Sequence, residues 1–234
     1  MDIHTNKMSL DLNLPTALVL IDNQAAFTHP TYWGTSRSNP SYEDNILSLI
    51  QAFRAAIKNK TEGGNAKEII HIFHSSTTPN SPLHREDPGN GIQPLDVAQP
   101  ASDGSEVIMW KCVNSSFIGT DLEAHLRTRG IRQVLFAGLT TDHCVSTTVR
   151  MAANLGVVDR YPDGPLTLDP EAGIHNQARV DRGRIILIAD ATATWAKGGF
   201  DAETIHAVSV ASLDGEFADI MKTEDVVKAL KQMN

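Results

Sequence analysis

Short apolar runs alternate with amphipathic stretches along the whole chain. Thr16–Asp22 (TALVLID) is almost continuously apolar and ends on a carboxylate, which predicts a strand buried on both faces. From Asn45 onward, Ile46, Leu49, Ile50, Phe53 and Ile57 recur at helical spacing and form one apolar stripe, broken by Gly63-Gly64-Asn65. Five further strands are predicted at Glu68–His74 (EIIHIFH), Val107–Trp110, Gln133–Gly138 (QVLFAG), Arg184–Ala189 (RIILIA) and Ala218–Met221. Helices are predicted at Leu122–Arg129, closed by Gly130, and around Val145, Val149 and Ala152, with Gly156 just past the end. Another covers Asp201–Leu213, and a last short one follows the sixth strand. Ser75–Ser105 lacks periodicity and reads as one long irregular loop. Val157–Gly183, with three prolines and charges of both signs, reads as an insertion: a lid, a subunit-contact arm or a solvated excursion. Strands alternating with helices imply right-handed βαβ units, hence an α/β, three-layer αβα architecture around a six-stranded, mostly parallel sheet, as one domain over residues 1–234.

Composition narrows the classes. Twenty Lys+Arg against twenty-eight Asp+Glu give a net charge of −8, which argues against a nucleic-acid partner, whose phosphates call for a basic surface. No window approaches the ~20 apolar residues of a membrane span, and Met1–Leu12 lacks an apolar leader segment, so the chain reads as soluble and cytoplasmic. Two cysteines, Cys112 and Cys144, are too few for a disulfide framework. A GxSxG elbow, a P-loop, a GxGxxG after the first strand, HExxH and CxxC are all absent, which weakens serine-hydrolase, kinase and dehydrogenase readings.

In parallel sheets, sites form where the strands end. Asp22 and Gln24 end the first strand, His74 the second, Lys111 follows the third, Thr140–Cys144 follow the fourth and Asp190 ends the fifth. The stretch GLTTDHCVSTT (Gly138–Thr148) puts Cys144 near a helix N-terminus, where unpaired N–H groups and the dipole favour thiolate. Taken singly, a cysteine is a small core residue, an aspartate a turn residue and a lysine a solvated one. Together Asp22 as base, Lys111 as cation and Cys144 as nucleophile form a set able to open a carbonyl or nitrile.

These segments resemble the isochorismatase-like cysteine hydrolases, a family that includes nicotinamidases, N-carbamoylsarcosine amidohydrolase, streptothricin hydrolase and biuret hydrolase. The likeness runs through LVLIDNQAAF (Leu18–Phe27), KCVNSSFIGTDLEAHL (Lys111–Leu126), GLTTDHCVSTTVRMAANLG (Gly138–Gly156), IADATATW (Ile188–Trp195) and HAVSVASLDGEFADI (His206–Ile220). It implies strand order 3-2-1-4-5-6, a Rossmann-like sheet, and Asp22, Lys111 and Cys144 as a catalytic triad. It further implies a non-proline cis peptide at Leu139–Thr140, with the backbone N–H groups of Thr140 and Cys144 as oxyanion hole. The implied reaction runs through a thioester, Asp22 moving the proton, and the implied assembly is a homodimer or homotetramer.

Departures from the family narrow the chemistry. The Asp-x-His ligand pattern of nicotinamidases is missing; His71, His74 and His84 are the available imidazoles, and the spacing of three sends His71 and His74 to opposite faces of a strand. No metal and no cofactor is therefore expected. Isochorismatases proper lack the nucleophilic cysteine, so Cys144 points to C–N cleavage of a small amide, lactam or ureido compound. TTDHCVSTT, SPLH (Ser81–His84) and HAVSVASLDGEFA look closest to the streptothricin hydrolase-like branch. Gln24, Phe27, Trp33, His74, Trp110 and His143 flank the motifs and are the candidate pocket walls. Cys112 is expected to point away from the site, and Asp190 to hold structure by hydrogen bonding. A nicotinamidase-like enzyme with an atypical metal site, or a non-catalytic binding protein on the same fold, are the alternatives.

Overall fold

A computed structural model describes residues 9–59 and 65–232. Gly63 and Gly64, the predicted helix breakers, and the first eight residues of the polar Met1–Leu12 stretch lie outside this range. Six strands, β1 (Thr16–Ile21), β2 (Lys67–His74), β3 (Val107–Lys111), β4 (Gln133–Leu139), β5 (Arg184–Ala193) and β6 (Asp219–Met221), form one sheet in the order β3-β2-β1-β4-β5-β6. Every pairing is parallel, so the sheet is fully rather than mostly parallel. The central β1 and β4 are buried along their entire length, which is why their sequences show no alternation.

Two apolar layers sandwich the sheet. On one face Leu18, Leu20, Leu135 and Ile186 meet α1 (Tyr42–Lys58) and α5 (Thr223–Lys231) through Ile46, Leu49, Ile50, Phe53 and Val226. On the other, Val19, Ile21, Ile70 and Phe136 meet α2 (Leu122–Thr128) and α3 (Ser146–Leu155) through Leu122, Leu126, Val149 and Ala152. α4 (Ala202–Ala211) packs beside the start of α3, with Asp201 capping it by accepting the Thr204 N–H.

Differences from expectation have local causes. α1 begins at Tyr42, four residues before its aliphatic stripe starts at Ile46, because the Tyr42 ring is itself buried and its hydroxyl donates to Asn23 at 2.6 Å. β5 does not stop at Ala189. Its register against β4 jumps from Phe136↔Leu187 to Gly138↔Thr192, so a bulge interrupts a longer strand and puts Asp190 inside it rather than at its end. Asp190 there accepts from the N–H and hydroxyl of Thr223, the first residue of α5, the structural role expected of it.

Gly138 has φ +131, and a Cβ built on it would lie 2.0 Å from the Ile21 carbonyl oxygen. Only glycine lets β4 run this close to the end of β1. The 157–183 segment leaves α3 through Gly156, a left-handed cap as predicted, and rejoins the sheet at the start of β5. Its backbone makes isolated bridges Arg160↔Asp181 and Leu168↔His175, and Leu166, Leu168 and Ile174 are exposed. Both roots lie at the edge of the sheet where β5 begins, about 20 Å along the strands from the edge where they end, so the lid expectation has no support from where the segment is rooted. No helix among the described residues is long and apolar enough to cross a membrane.

Candidate active site

The strand ends bring Asp22, His74, Lys111 and Cys144 together. Asp22 follows β1 with φ +52, an uncommon backbone for a non-glycine residue, and is completely buried. Lys111 is the last residue of β3 and is buried to the tip of its side chain. Its Nζ donates to Asp22 Oδ2 at 2.7 Å, to His74 Nδ1 at 3.1 Å and to Cys144 Sγ at 3.4 Å. An ammonium has three donors, so Lys111 spends all of them on this trio. The ring nitrogen facing a cation must be the bare one, which fixes His74 as the Nε2–H tautomer. Burial, followed by the Lys111 charge, holds the His74 pKa below its ordinary value against the pull of Asp22.

Cys144 lies in a wide π-helical turn, Thr141–Val145, which leads into α3. The peptide bond just before it, Leu139–Thr140, is cis. Neighbours outside the reacting group hold this turn in place. Thr141 Oγ1 meets His206 Nδ1 of α4 at 2.9 Å, and Asp142 accepts from Thr194 Oγ1 and from Lys197 Nζ, the latter at 2.7 Å. Burial pushes the Cys144 thiol up to about 12, the adjacent Asp22 carboxylate adds to the rise, and Lys111 offsets only part of it. A helix start favours the anion, and loss of hydration with a neighbouring carboxylate works against it, toward the thiol. Asp22 Oδ1 is buried and without a hydrogen-bond partner, an open acceptor within the cluster.

The candidate walls separate into distinct groups. Gln24 is not a wall: it is fully buried, and its amide is consumed by the backbone, donating to the His74 and Ile92 carbonyls at 2.9 Å each and accepting from the His74 N–H at 2.7 Å. Phe27 stacks between Trp33 and Trp195 with ring centroids 4.6 and 5.8 Å away, and Trp33 Nε1 donates to the Ala26 carbonyl, so this aromatic group belongs to the core facing α1. His143 is exposed, 3.4 Å from Asp142. Trp110 is 46% exposed and, with Ser75, His84, Arg85 and Lys111, lines a cleft of about 620 Å³ at the ends of β2 and β3. Cys112, expected to turn away, also lines that cleft; the strand ends at Lys111, and alternation no longer governs the next residue.

One residue of the site carried no sequence signal that was used. Asn114 Nδ2 donates to Cys144 Sγ at 3.6 Å. It lies in the KCVNSSF segment, and its offset of three from Lys111 within a loop gives no period to read. Asp22, His74 and Cys144 each offer a ligand atom within 4.8 Å of one another, a spacing suited to a metal ion. Lys111 Nζ is within hydrogen-bonding reach of all three, so a cation already stands where a metal would bind. The donor set does not fit a metal.

The isochorismatase-domain profile matches residues 16–225. The chain belongs to the isochorismatase family. A relative from Bacillus subtilis, the uncharacterized isochorismatase family protein YrdC, is 37% identical over 216 residues, spanning 90% of this chain and 94% of that one. The ureidoacrylate amidohydrolase RutB of Acinetobacter baylyi is 28% identical over 158 residues, covering 58% of this chain and 63% of that protein. Among solved structures, an isochorismatase-family protein from Chromobacterium violaceum superposes with TM-score 0.72 at 31% identity, over 96% of this chain and 97% of its own. A cysteine hydrolase from Pseudomonas syringae shares the fold with TM-score 0.68 at 23% identity, over 97% and 100% of the two chains. This isochorismatase-family protein is accordingly a hydrolase.

Proposed function

We propose that this isochorismatase-family chain hydrolyses a C–N bond of a small amide, lactam or ureido compound, with Cys144 as nucleophile, Asp22 as proton carrier and Lys111 as the fixed cation. The observation that carries the reading is the buried contact set in which one ammonium touches the carboxylate and the sulfur while the second carboxylate oxygen stays unpartnered. A structural ion pair has no use for a buried, half-satisfied carboxylate.

The reaction follows from that asymmetry. As the sulfur attacks the carbonyl carbon, the thiol proton passes to Asp22 Oδ1, so negative charge leaves the carboxylate as it appears on sulfur and the total charge beside Lys111 is unchanged. The tetrahedral oxyanion is taken by the backbone N–H groups of Thr140 and Cys144, at the start of the turn, where helical N–H groups lack internal partners. Asp22 returns its proton to the departing nitrogen and the C–N bond breaks, leaving a thioester on Cys144. Water, losing a proton to Asp22, attacks the thioester; collapse releases the acid and returns the proton to sulfur.

A ureido or amide substrate is favoured by the likeness to an amidohydrolase of a ureido compound. The narrower likeness to the streptothricin hydrolase-like branch rests on sequence segments alone. An atypical-metal nicotinamidase is disfavoured because Lys111 holds the place of the metal. The test is ammonia release across a panel of amides, lactams and ureides, ureidoacrylate and nicotinamide included, with and without chelator. Expected are turnover of at least one member, insensitivity to chelator and loss of turnover in Cys144→Ala. Turnover surviving in Cys144→Ala overturns the nucleophile assignment, and turnover abolished by chelator overturns the metal-free one.

A further inference from the structure

Stabilising the Cys144 thiolate falls to the donors around the sulfur, because the thiol is pushed up by burial and by Asp22. Lys111 is one donor, at 3.4 Å, and it is shared with two other acceptors. Asn114 Nδ2 is the other, at 3.6 Å. Asn114 is an exposed residue that turns its amide nitrogen inward, and an amide N–H to sulfur gains strength as the sulfur becomes an anion.

The backbone places this amide with unusual security for a loop. Two residues on, Ser116 donates its N–H to Thr148 Oγ1 at 3.0 Å, and the Thr148 hydroxyl donates to Ser116 Oγ at 3.1 Å, with both side chains buried. Thr148 is one helical turn after Cys144 and continues into α3. Phe117 N–H bonds Ser115 Oγ, and Thr120 Oγ1 bonds the Ser116 carbonyl, closing the segment on itself. The loop bearing Asn114 and the turn bearing Cys144 are therefore fastened to each other one step beyond the reacting atoms.

We propose that Asn114 is a further catalytic residue, whose Nδ2–H hydrogen-bonds the Cys144 sulfur and holds it as thiolate during attack. It rests on the reading of Cys144 as nucleophile. Asp22 takes the proton, Lys111 and Asn114 take the charge, and no other reactant is needed.

The test reads the thiol directly and needs no substrate. Iodoacetamide alkylation of Cys144 is followed between pH 7 and 9.5 by peptide mass, which separates it from exposed Cys112. Below its pKa the rate follows the thiolate fraction, so the logarithm of rate rises with pH. Asn114→Ala is expected to displace that line by up to about one pH unit, close to tenfold slower at each pH, as loss of one hydrogen bond predicts. Asn114→Asp keeps the shape, removes the donor and adds a negative charge, and is expected to be slower still. Once a substrate is found, both should lower kcat more than they change KM. Lines for both variants that coincide with that of the unaltered protein overturn the proposal. If Cys144→Ala keeps turnover, the nucleophile reading fails while alkylation still reports whether Asn114 touches the sulfur.

Discussion

Two buried charge clusters flank β2, and they differ in how completely their atoms are paired. On the α1 side, His71 Nε2 meets Glu106 Oε2 at 2.8 Å, and both Glu106 oxygens are gripped by Arg54, at 2.7 and 2.9 Å. The Ala101 N–H adds a bond to the same carboxylate, leaving only the neutral His71 Nδ1 without a partner. Three residues along the strand and on the opposite face, His74 joins Asp22, Lys111 and Cys144, and there a carboxylate oxygen is the orphan. The first arrangement carries ions into the interior and quiets them; the second leaves one carboxylate oxygen unmatched. Burial and ion pairing are common to both, so neither singles out the second cluster; the unmatched carboxylate atom does.

That contrast can be broken from either side. Asp22→Asn keeps the shape but loses the proton acceptor, and kcat should fall about 10³-fold; it also leaves the Lys111 charge buried without its carboxylate, so melting temperature should fall too, checked by steady-state kinetics on the folded protein beside calorimetry. Glu106→Ala should cost stability alone, about 3 kcal/mol in denaturant unfolding because His71 and the inner side of Arg54 lose their acceptor, while turnover of the remaining folded protein persists. Equal loss of activity in both would erase the distinction between the clusters.

Acid sharpens it further. Burial lowers the pKa of His71, His74 and His206 below the ordinary 6.5. The unfolded chain then binds protons that the folded one refuses, so this stability is complete above about pH 6.5 and is lost as pH falls through the depressed values. Melting temperature should decline over that window, and kcat/KM should decline with it as His74 gains a charge beside Lys111. The smallest effect is expected from Arg54→Ala. Its side chain is 40% exposed, and Glu106 retains His71 and the Ala101 N–H, so a loss of about 1 kcal/mol is expected in the same unfolding assay.

Much of this was legible in the residues, and the rest was hidden for identifiable reasons. β1 and β4 announce themselves because strands buried on both faces are apolar throughout, and Gly156 marks a helix end because a left-handed cap suits glycine. The extension of β5 is invisible, since its bulge inserts residues that break any periodicity. Asp22, Lys111 and Cys144 stand at strand ends, where topology alone makes them neighbours. Gln24 stands there too, yet its amide serves the backbone, because side-chain direction after a strand depends on a turn that sequence does not specify. Asn114 was missed for the same reason, as nothing in its spacing ties it to a residue thirty positions later.

Gly138 sets a rule for anyone diversifying this scaffold toward new substrates. A side chain there would meet the Ile21 carbonyl and push apart the two strands whose ends carry Asp22 and the Cys144 turn. Libraries should hold that position constant and spend their variation on the open lip, at Trp110 and Ile118, exposed side chains that line the cleft.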